Sequence, residues 1–440
     1  MSEQNPMKQT IENLLINLCN EALVEETESN QSVIFYTRAP KGKTIAEEST
    51  TISLNSRAYT LLQEVVTQLR QDKKLRLEFS KKELEQEAIT SLFEGVKAVQ
   101  DGALDAQALT DSLVTRLAES RETWEIYLPI EGLDLPDKEQ LYLAGGVFKA
   151  LMNDEKDLLR NQCVKIWDQA KWQSSQHAES GIRTLSQYLD EALTSSKMWY
   201  QIQVNGRQEA AKNRAVEAAV LSMDILAFFA LLNGIDPEAF ACHFPHQAKR
   251  GIMKSIQIVS GKACSLPNES GFPFPYTLDS SKYGKLINLK EFQQIQAMSN
   301  SEDPNPVQQR FLLGVQQYAE ATRLPSLSAR LVWYLSGLET LLLKETEHKS
   351  RVTVKRRLGK FLNSNAAQRL DSLYDKRVKS VHYGHRNQIG EEFITETDVH
   401  DAKSLSYLGI ILALKYSNNL ASIDAFLDYI NSLPDIVSNH

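Results

Sequence analysis

The sequence predicts an α+β N-terminal region followed by an all-α helical bundle at the C-terminus. Strict alternation over Trp124–Ile130 marks a strand within the first 300 residues, with further strands read at 142–148 and 198–204. After residue 306 that signal gives way to apolar residues spaced three and four apart, the helical period. Between the two regimes lies NSEDPNP (300–306), a polar stretch with two prolines that reads as a domain boundary. The expected organisation is a mainly helical segment over 1–122, an α+β domain over 123–300 and a helical domain over 307–440.

Each element has its own warrant. Residues 7–25 place Ile11, Leu14, Leu15 and Leu18 on one face of an amphipathic helix, and SVIFYT (32–37) reads as a strand. Residues 83–120 are polar helix-formers broken near Asp101-Gly102. In the strand around 124–130, Pro129 lacks an N–H and so points to a sheet edge. YLAGGVF (142–148) is expected as a second strand and MWYQIQV (198–204) as a third, closed by Asn205-Gly206. The stripe Ala211, Ala215, Ala218, Ser222, Ile225 and Phe229 predicts a closely packed helix over 207–232, stopped by Asn233-Gly234. Ile256 and Ile258 suggest a further strand, and 265–284 is a loop rich in proline and aromatic residues. Beyond the boundary, helices are expected at 307–322, 326–343, 351–363, 366–383, 397–418 and 422–432, with Thr395 or Thr397 capping the fifth.

Composition narrows the class of protein. The chain has 440 residues, 42% hydrophobic and 24% charged, a balance that excludes disorder as its main state. Cys19, Cys163, Cys242 and Cys264 lie far apart, so reduced and mostly buried thiols are expected. The N-terminus has no basic leader region, and the two most apolar stretches, VLSMDILAFFALL and YLGIILAL, are too short to span a bilayer. These features predict a cytoplasmic protein without membrane contact. Cys242, His243 and His246 offer metal-type ligands but no fourth member, and no phosphate-cradle, nucleophile-elbow or zinc-helix motif is present. No metal and no cofactor is expected. Trp172, Trp199 and Trp333 sit in amphipathic segments, where core packing is the expected role.

Charge is unevenly divided. The formal net charge is −7, which argues against nucleic acid as a partner. Yet the window from Lys344 to Arg386 holds twelve basic and four acidic residues, a local +8, which leaves −15 for the rest. A basic block within an acidic chain is the footprint expected for phosphate binding, although such runs are more often solvated helix faces. Within it, LYDKRVKSVHYGHR (373–386) places Arg377 and His382 in an R-x4-H arrangement. At this composition about one such spacing arises by chance, so its context must carry the argument.

That context comprises Leu338-Glu339 on an early helix, Arg-Arg-Leu-Gly-Lys-Phe-Leu at 356–362, and Leu-Tyr-Asp-x-Arg-x4-His-x-Gly at 373–384 before a long helix. It resembles a HEPN domain, particularly the ApeA-like, abortive-infection branch, over roughly 307–432. The resemblance implies a metal-independent endoribonuclease in antiphage defence or stress response, with Arg377 and His382 as its catalytic pair and the N-terminal region regulatory, responding to a protein or ligand trigger. It also implies a homodimer through the C-terminal domain. Active relatives often carry a polar residue after the arginine, where this chain has Val378. The alternative is therefore a catalytically silent HEPN module that binds RNA or a protein partner.

The chemistry is self-consistent. Attack of a 2′-OH on the adjacent phosphorus needs proton transfer, which His382 supplies, and charge neutralisation, which Arg377 supplies. Lys376, Lys379, His385 and Arg386 are expected as flanking RNA contacts. Glu339 either orients Arg377 or is an ordinary ion-pair member. Five helical steps set positions 377 and 382 roughly 140° apart. Either the helix ends between them, or a second copy of the chain completes the groove. In a third reading the basic window is masked by the acidic N-terminal region of the same molecule.

Overall fold

The computed structural model describes residues 6–23, 33–34, 53–54, 56–169, 187, 189–190, 193–194, 197–233, 242, 257–259, 263–265, 276–347, 350–362, 364–383, 394–417, 420 and 422–434. It divides into two compact units, one of residues 1–126 with 203–216 and the other of 127–202 with 217–440.

The first unit is built from α1 (Pro6–Leu23), a short antiparallel pair β1 (Val33–Ile34) and β2 (Ser53–Leu54), then α2 (Ser56–Leu69), α3 (Lys73–Glu78), α4 (Lys81–Gln100) and α5 (Ala106–Glu119). The helix starts are set by side chains that accept the first free N–H groups: Asp72 from Leu75, Asp105 from Gln107 and Ala108, and Ser80 in a capping box with Glu83. The α4–α5 break falls at Gly102, as the sequence predicts. Ile11, Leu15 and Leu18 of α1, with Leu62, Val66, Leu84 and Leu113, form a continuous core. Among the described residues, two carboxylates of this unit are buried, Glu78 beside Arg121 and Glu87. Glu87, 6% exposed, takes Arg116 and Arg207 together, so its charge is compensated from two sides.

Next come β3 (Glu122–Ile130), β4 (Leu133–Asp134), β5 (Leu141–Leu143), β6 (Gly146–Ala150), α6 (Asn153–Gln169), β7 (Met198–Gly206) and α7 (Gln208–Phe229). The sheet order is β3-β7-β6-β5, which leaves β3 with Pro129 at an edge. Here the expected single strand over 142–148 is corrected: it is the hairpin β5–β6. Ala144 (φ 48°) and Gly145 (φ 77°) both lie in the left-handed region, the conformation that a two-residue hairpin turn with the right twist requires.

The helix ending in the apolar run falls where the sequence predicts it, α7 being followed directly by a short 3-10 turn over Ala230–Asn233. Gln208–Leu232 covers 25 residues with a mean hydropathy of 2.0 over its most apolar window, long and apolar enough to cross a membrane by those measures. In the fold, however, 61% of that window is buried. Phe228 stacks edge-on against Tyr318 (centroids 5.0 Å apart), and Phe229 meets Phe292 (5.3 Å).

The chain continues through β8 (Gln257–Val259), paired with β9 (Ala263–Ser265), and β10 (Tyr276–Thr277), which pairs in parallel with β4. It then runs through α8 (Ser280–Ile287), α9 (Lys290–Ser299), α10 (Pro306–Arg323), α11 (Leu327–Leu342), α12 (Ser350–Leu358), α13 (Ser364–Tyr383), α14 (Glu396–Leu414) and α15 (Ile423–Ser432). The expected C-terminal helices are all present. The 300–306 stretch, expected to divide domains, is instead a turn inside the second unit, between α9 and α10. Its Asn305 caps α10 in a capping box with Gln308, ahead of Pro306 at the first helical position. Thr395, one of the two expected caps, does the same for α14 with Asp398. At Gly409 a Cβ would stand 2.6 Å from a Leu338 methyl carbon, so the absent side chain lets α14 approach α11 beside Glu339. Trp333 is 39% exposed on α11, contrary to the core role expected for it, whereas Trp199 is buried.

Asp224 of α7 is 3% exposed, with its Oδ1 2.6 Å from Nη2 of Arg323. Burial pushes its carboxyl from 3.8 up to about 6, with Arg323 opposing the rise. The folded chain thus holds this proton more tightly than the unfolded chain. The stabilisation is complete below about pH 4 and is lost as pH rises through 6, a difference of up to about 3 kcal/mol. In urea titrations, the unfolding free energy of Asp224→Asn relative to wild type is expected to rise by up to that amount between pH 4 and 7. A constant difference across that range would show that Asp224 does not titrate in this way.

Candidate active site

Arg377 lies on α13, and its Nη1 donates to Oε1 of Glu339, near the end of α11, at 2.8 Å. One turn earlier on α13, the hydroxyl of Tyr374 donates to the same oxygen at 3.0 Å. The guanidinium carbon is 5.8 Å from the Tyr374 ring centroid, within cation–π range. The sequence accounts for this geometry because residues three apart share a helix face. Arg377 and Glu339 are mostly covered, at 25% and 18% exposure, and Tyr374 is buried. Burial, with the Glu339 carboxylate beside it, pushes the Tyr374 phenol far above its ordinary range, so it stays protonated as a donor. Glu339 thus pairs with the motif arginine on one side, a contact common to both roles open to it.

Helix α13 runs unbroken through Tyr383. It therefore does not end between Arg377 and His382, and the two positions keep the roughly 140° separation of a regular helix. The side chain of His382, and the whole of His385 and Arg386, lie outside the described residues. The same holds for His243 and His246 and for residues 266–275 of the expected 265–284 loop, whose last residues instead begin α8. Among the described residues no group of three or more His, Cys, Asp or Glu side chains is arranged to hold a metal.

Lys376, expected to meet RNA, is already engaged. Its Nζ lies 2.7 Å from both carboxylate oxygens of Asp398. Burial works to raise the Asp398 carboxyl, but Lys376 and the Thr395 donors outweigh it and hold the pKa below the usual range. Lys379 and its neighbour Val378 are exposed on α13.

The rest of the basic window shows the same pairing. Arg351 and Lys355 of α12 both reach Asp371 on α13, and Arg351 also reaches Asp375. Arg369 pairs with Asp401, and Lys344 with Asp424. Arg357 is 1% exposed and donates to Glu347 through both terminal nitrogens and to the Leu342 carbonyl. With Lys376 and Arg377, seven of the window's cations are matched to carboxylates among the described residues. Four of the matching acids, Glu339, Asp398, Asp401 and Asp424, lie outside 344–386 and were not in its count. Over 307–440 there are 17 basic and 14 acidic residues, so the +8 window sits in a region of only +3. These seven carboxylates lie between residues 339 and 424.

Two cavities flank these helices. One of about 480 Å³ is lined by Glu339, Arg310, Lys344 and Glu345, with Arg310 donating to the carbonyls of Thr340 and Leu343 at the end of α11. The other, of about 420 Å³, holds Arg369, His400 and Asp401. Sequence reasoning gave no site role to Tyr374, quoted only within the 373–384 motif, to Asp398, or to His400. For Tyr374 the available signal was its position three residues before Arg377. Comparison of the chain with protein-family models, with curated proteins and with solved structures finds no match.

Because Glu339 accepts from both Tyr374 and Arg377, its removal leaves two partly buried donors unpaired. Glu339→Ala is expected to cost roughly 1–3 kcal/mol. A double-mutant cycle with Arg377→Ala should give a coupling of about 1 kcal/mol or more by urea unfolding. Additive losses would mean that the two side chains do not interact in solution.

Proposed function

We propose that the C-terminal bundle is a metal-independent endoribonuclease of HEPN type. The observation that supports this reading most is the oriented arginine: Arg377 of the R-x4-H motif is held by Glu339 and Tyr374, partly open to solvent, on an unbroken helix shared with His382. In this reading Arg377 neutralises the charge that builds on the non-bridging oxygens, and His382 moves the proton to or from the reacting hydroxyl. One copy cannot bring both to one phosphate from a straight helix, so a homodimer supplies the second pair and a shared groove. RNA is the substrate, DNA lacks the attacking 2′-OH, and no metal or other cofactor takes part. A cytoplasmic role in antiphage defence or stress, with the N-terminal region as regulator, belongs to the same proposal.

The decisive assay is RNA cleavage by the full chain in EDTA. Wild type is expected to cut RNA and spare DNA, with Arg377→Ala and His382→Ala each reducing the rate at least a hundredfold. Equal activity in all three removes these residues from the mechanism. Light scattering should report a dimer under the assay conditions, and a monomer that still cleaves would contradict the shared groove.

A second reading is favoured by the pairing of the basic window and by Val378, 51% exposed beside Arg377. There the bundle is a catalytically silent module that binds RNA or a protein partner. Twelve free cations on single-stranded RNA would give a log–log salt slope of about −8. With most of them already neutralised, any RNA binding should show a slope of about −4 or shallower. A slope near −8 would show that the intramolecular pairs open on binding.

A further inference from the structure

We propose that the first unit binds an oxygenated medium-chain carboxylate, a small molecule with an aliphatic body, an anionic end and one further oxygen able to accept a hydrogen bond. The site is a cavity of about 390 Å³ lined by residues of α1, α3 and α5. It is independent of the ribonuclease reading, because no residue of the C-terminal bundle lines it.

The cavity interrupts a packed core. Ile11, Leu69, Leu75 and Leu117 line it and also belong to the core cluster of this unit, each at most 9% exposed. Protein interiors leave few voids larger than a water molecule, and ligand cavities begin near 300 Å³. Val114 is 46% exposed although it lies on the same face of α5 as Thr110 and Leu117, so apolar surface remains uncovered on the cavity wall. No aromatic ring is among the lining residues, so the walls suit a flexible aliphatic chain rather than a stacked ring.

The hydroxyl of Thr110 gives the second, independent observation. Thr110 is fully buried, lines the cavity, and its Oγ1 has no hydrogen-bond partner. Four other helical threonines of this unit, Thr10, Thr60, Thr67 and Thr90, each donate to the carbonyl four residues earlier, at 2.7–3.0 Å. An unmet buried hydroxyl is costly, and an acceptor oxygen on a ligand would meet it.

The anionic end follows from the charges. Lys8, Lys74 and Arg121 line the cavity against one acid, Asp72, whose Oδ1 already accepts from the Leu75 N–H to cap α3. Lys8 is paired with Asp111 and Arg121 with Glu78. Lys74 is exposed and, among the described residues, has no carboxylate partner, which leaves it to receive the ligand's.

The test is isothermal titration of the full chain with 10-hydroxydecanoate, decanoate and 1,10-decanediol. The hydroxy acid should bind more tightly than either comparison compound. Lys74→Gln should weaken both carboxylates about tenfold and leave the diol unchanged, the size of one lost charge-assisted contact. Thr110→Val, close in shape, should abolish the preference for hydroxydecanoate over decanoate. Val114→Trp should block all three. The proposal is overturned if wild type binds none of them at millimolar concentration, if Val114→Trp leaves binding intact, or if Lys74→Gln affects diol and carboxylates alike. Because Lys74 is on the surface, its variant keeps the test valid should a substitution nearer the core fail to fold.

Discussion

Helix α13 is held by charge on several sides. Its acids Asp371 and Asp375, one turn apart, receive Arg351 and Lys355 from α12. Its cations Arg369 and Lys376, two turns apart, reach Asp401 and Asp398 on α14, and Arg377 reaches Glu339 on α11. Exposed pairs of this kind contribute little stability one by one. Their combined effect is on register, because a shift of α13 by one residue would break the acid contacts and the cation contacts together. The motif arginine therefore inherits its position from the whole belt.

The same belt changes what the basic block means. Phosphate attraction depends on cations that are free to exchange counterions for phosphates. A lysine such as Lys376, already between the two oxygens of Asp398, has less to gain from a phosphate than a solvated one. Arg357, in the basic 356–362 segment, is buried at 1% exposure and ties α12 to the end of α11. A cation that reads as a phosphate contact in sequence can thus serve packing instead.

How much was legible differs by unit and by element. The C-terminal helices were readable from helical spacing, as in the Leu331, Leu335, Leu338 and Leu342 stripe of α11, and α14 also from its cap Thr395. The β5–β6 hairpin was not, because Ala144 in a left-handed conformation has no signature that separates Leu-Ala-Gly-Gly-Val from a continuous strand. Trp333 was misplaced because the apolar periodicity of α11 extends around more of the helix than its neighbours cover. At the candidate site, Arg377 and Glu339 were both named from sequence. Their contact, and the role of Tyr374, depend on how closely α11 and α13 pack.

By itself the sequence determined the helical character of the C-terminal third, the edge position of β3, the presence of R-x4-H and the uneven distribution of charge. Those properties are local, set by period, by proline and by composition along the chain. Only the tertiary structure decided which carboxylate meets which cation, that α13 continues past His382, and that Thr110 is buried on a cavity wall without a partner. Electrostatic and hydrogen-bonding partners are chosen by distance in space. Acids at 398, 401 and 424 neutralise bases at 376, 369 and 344 because the helices that carry them pack together, a fact that no window along the chain contains.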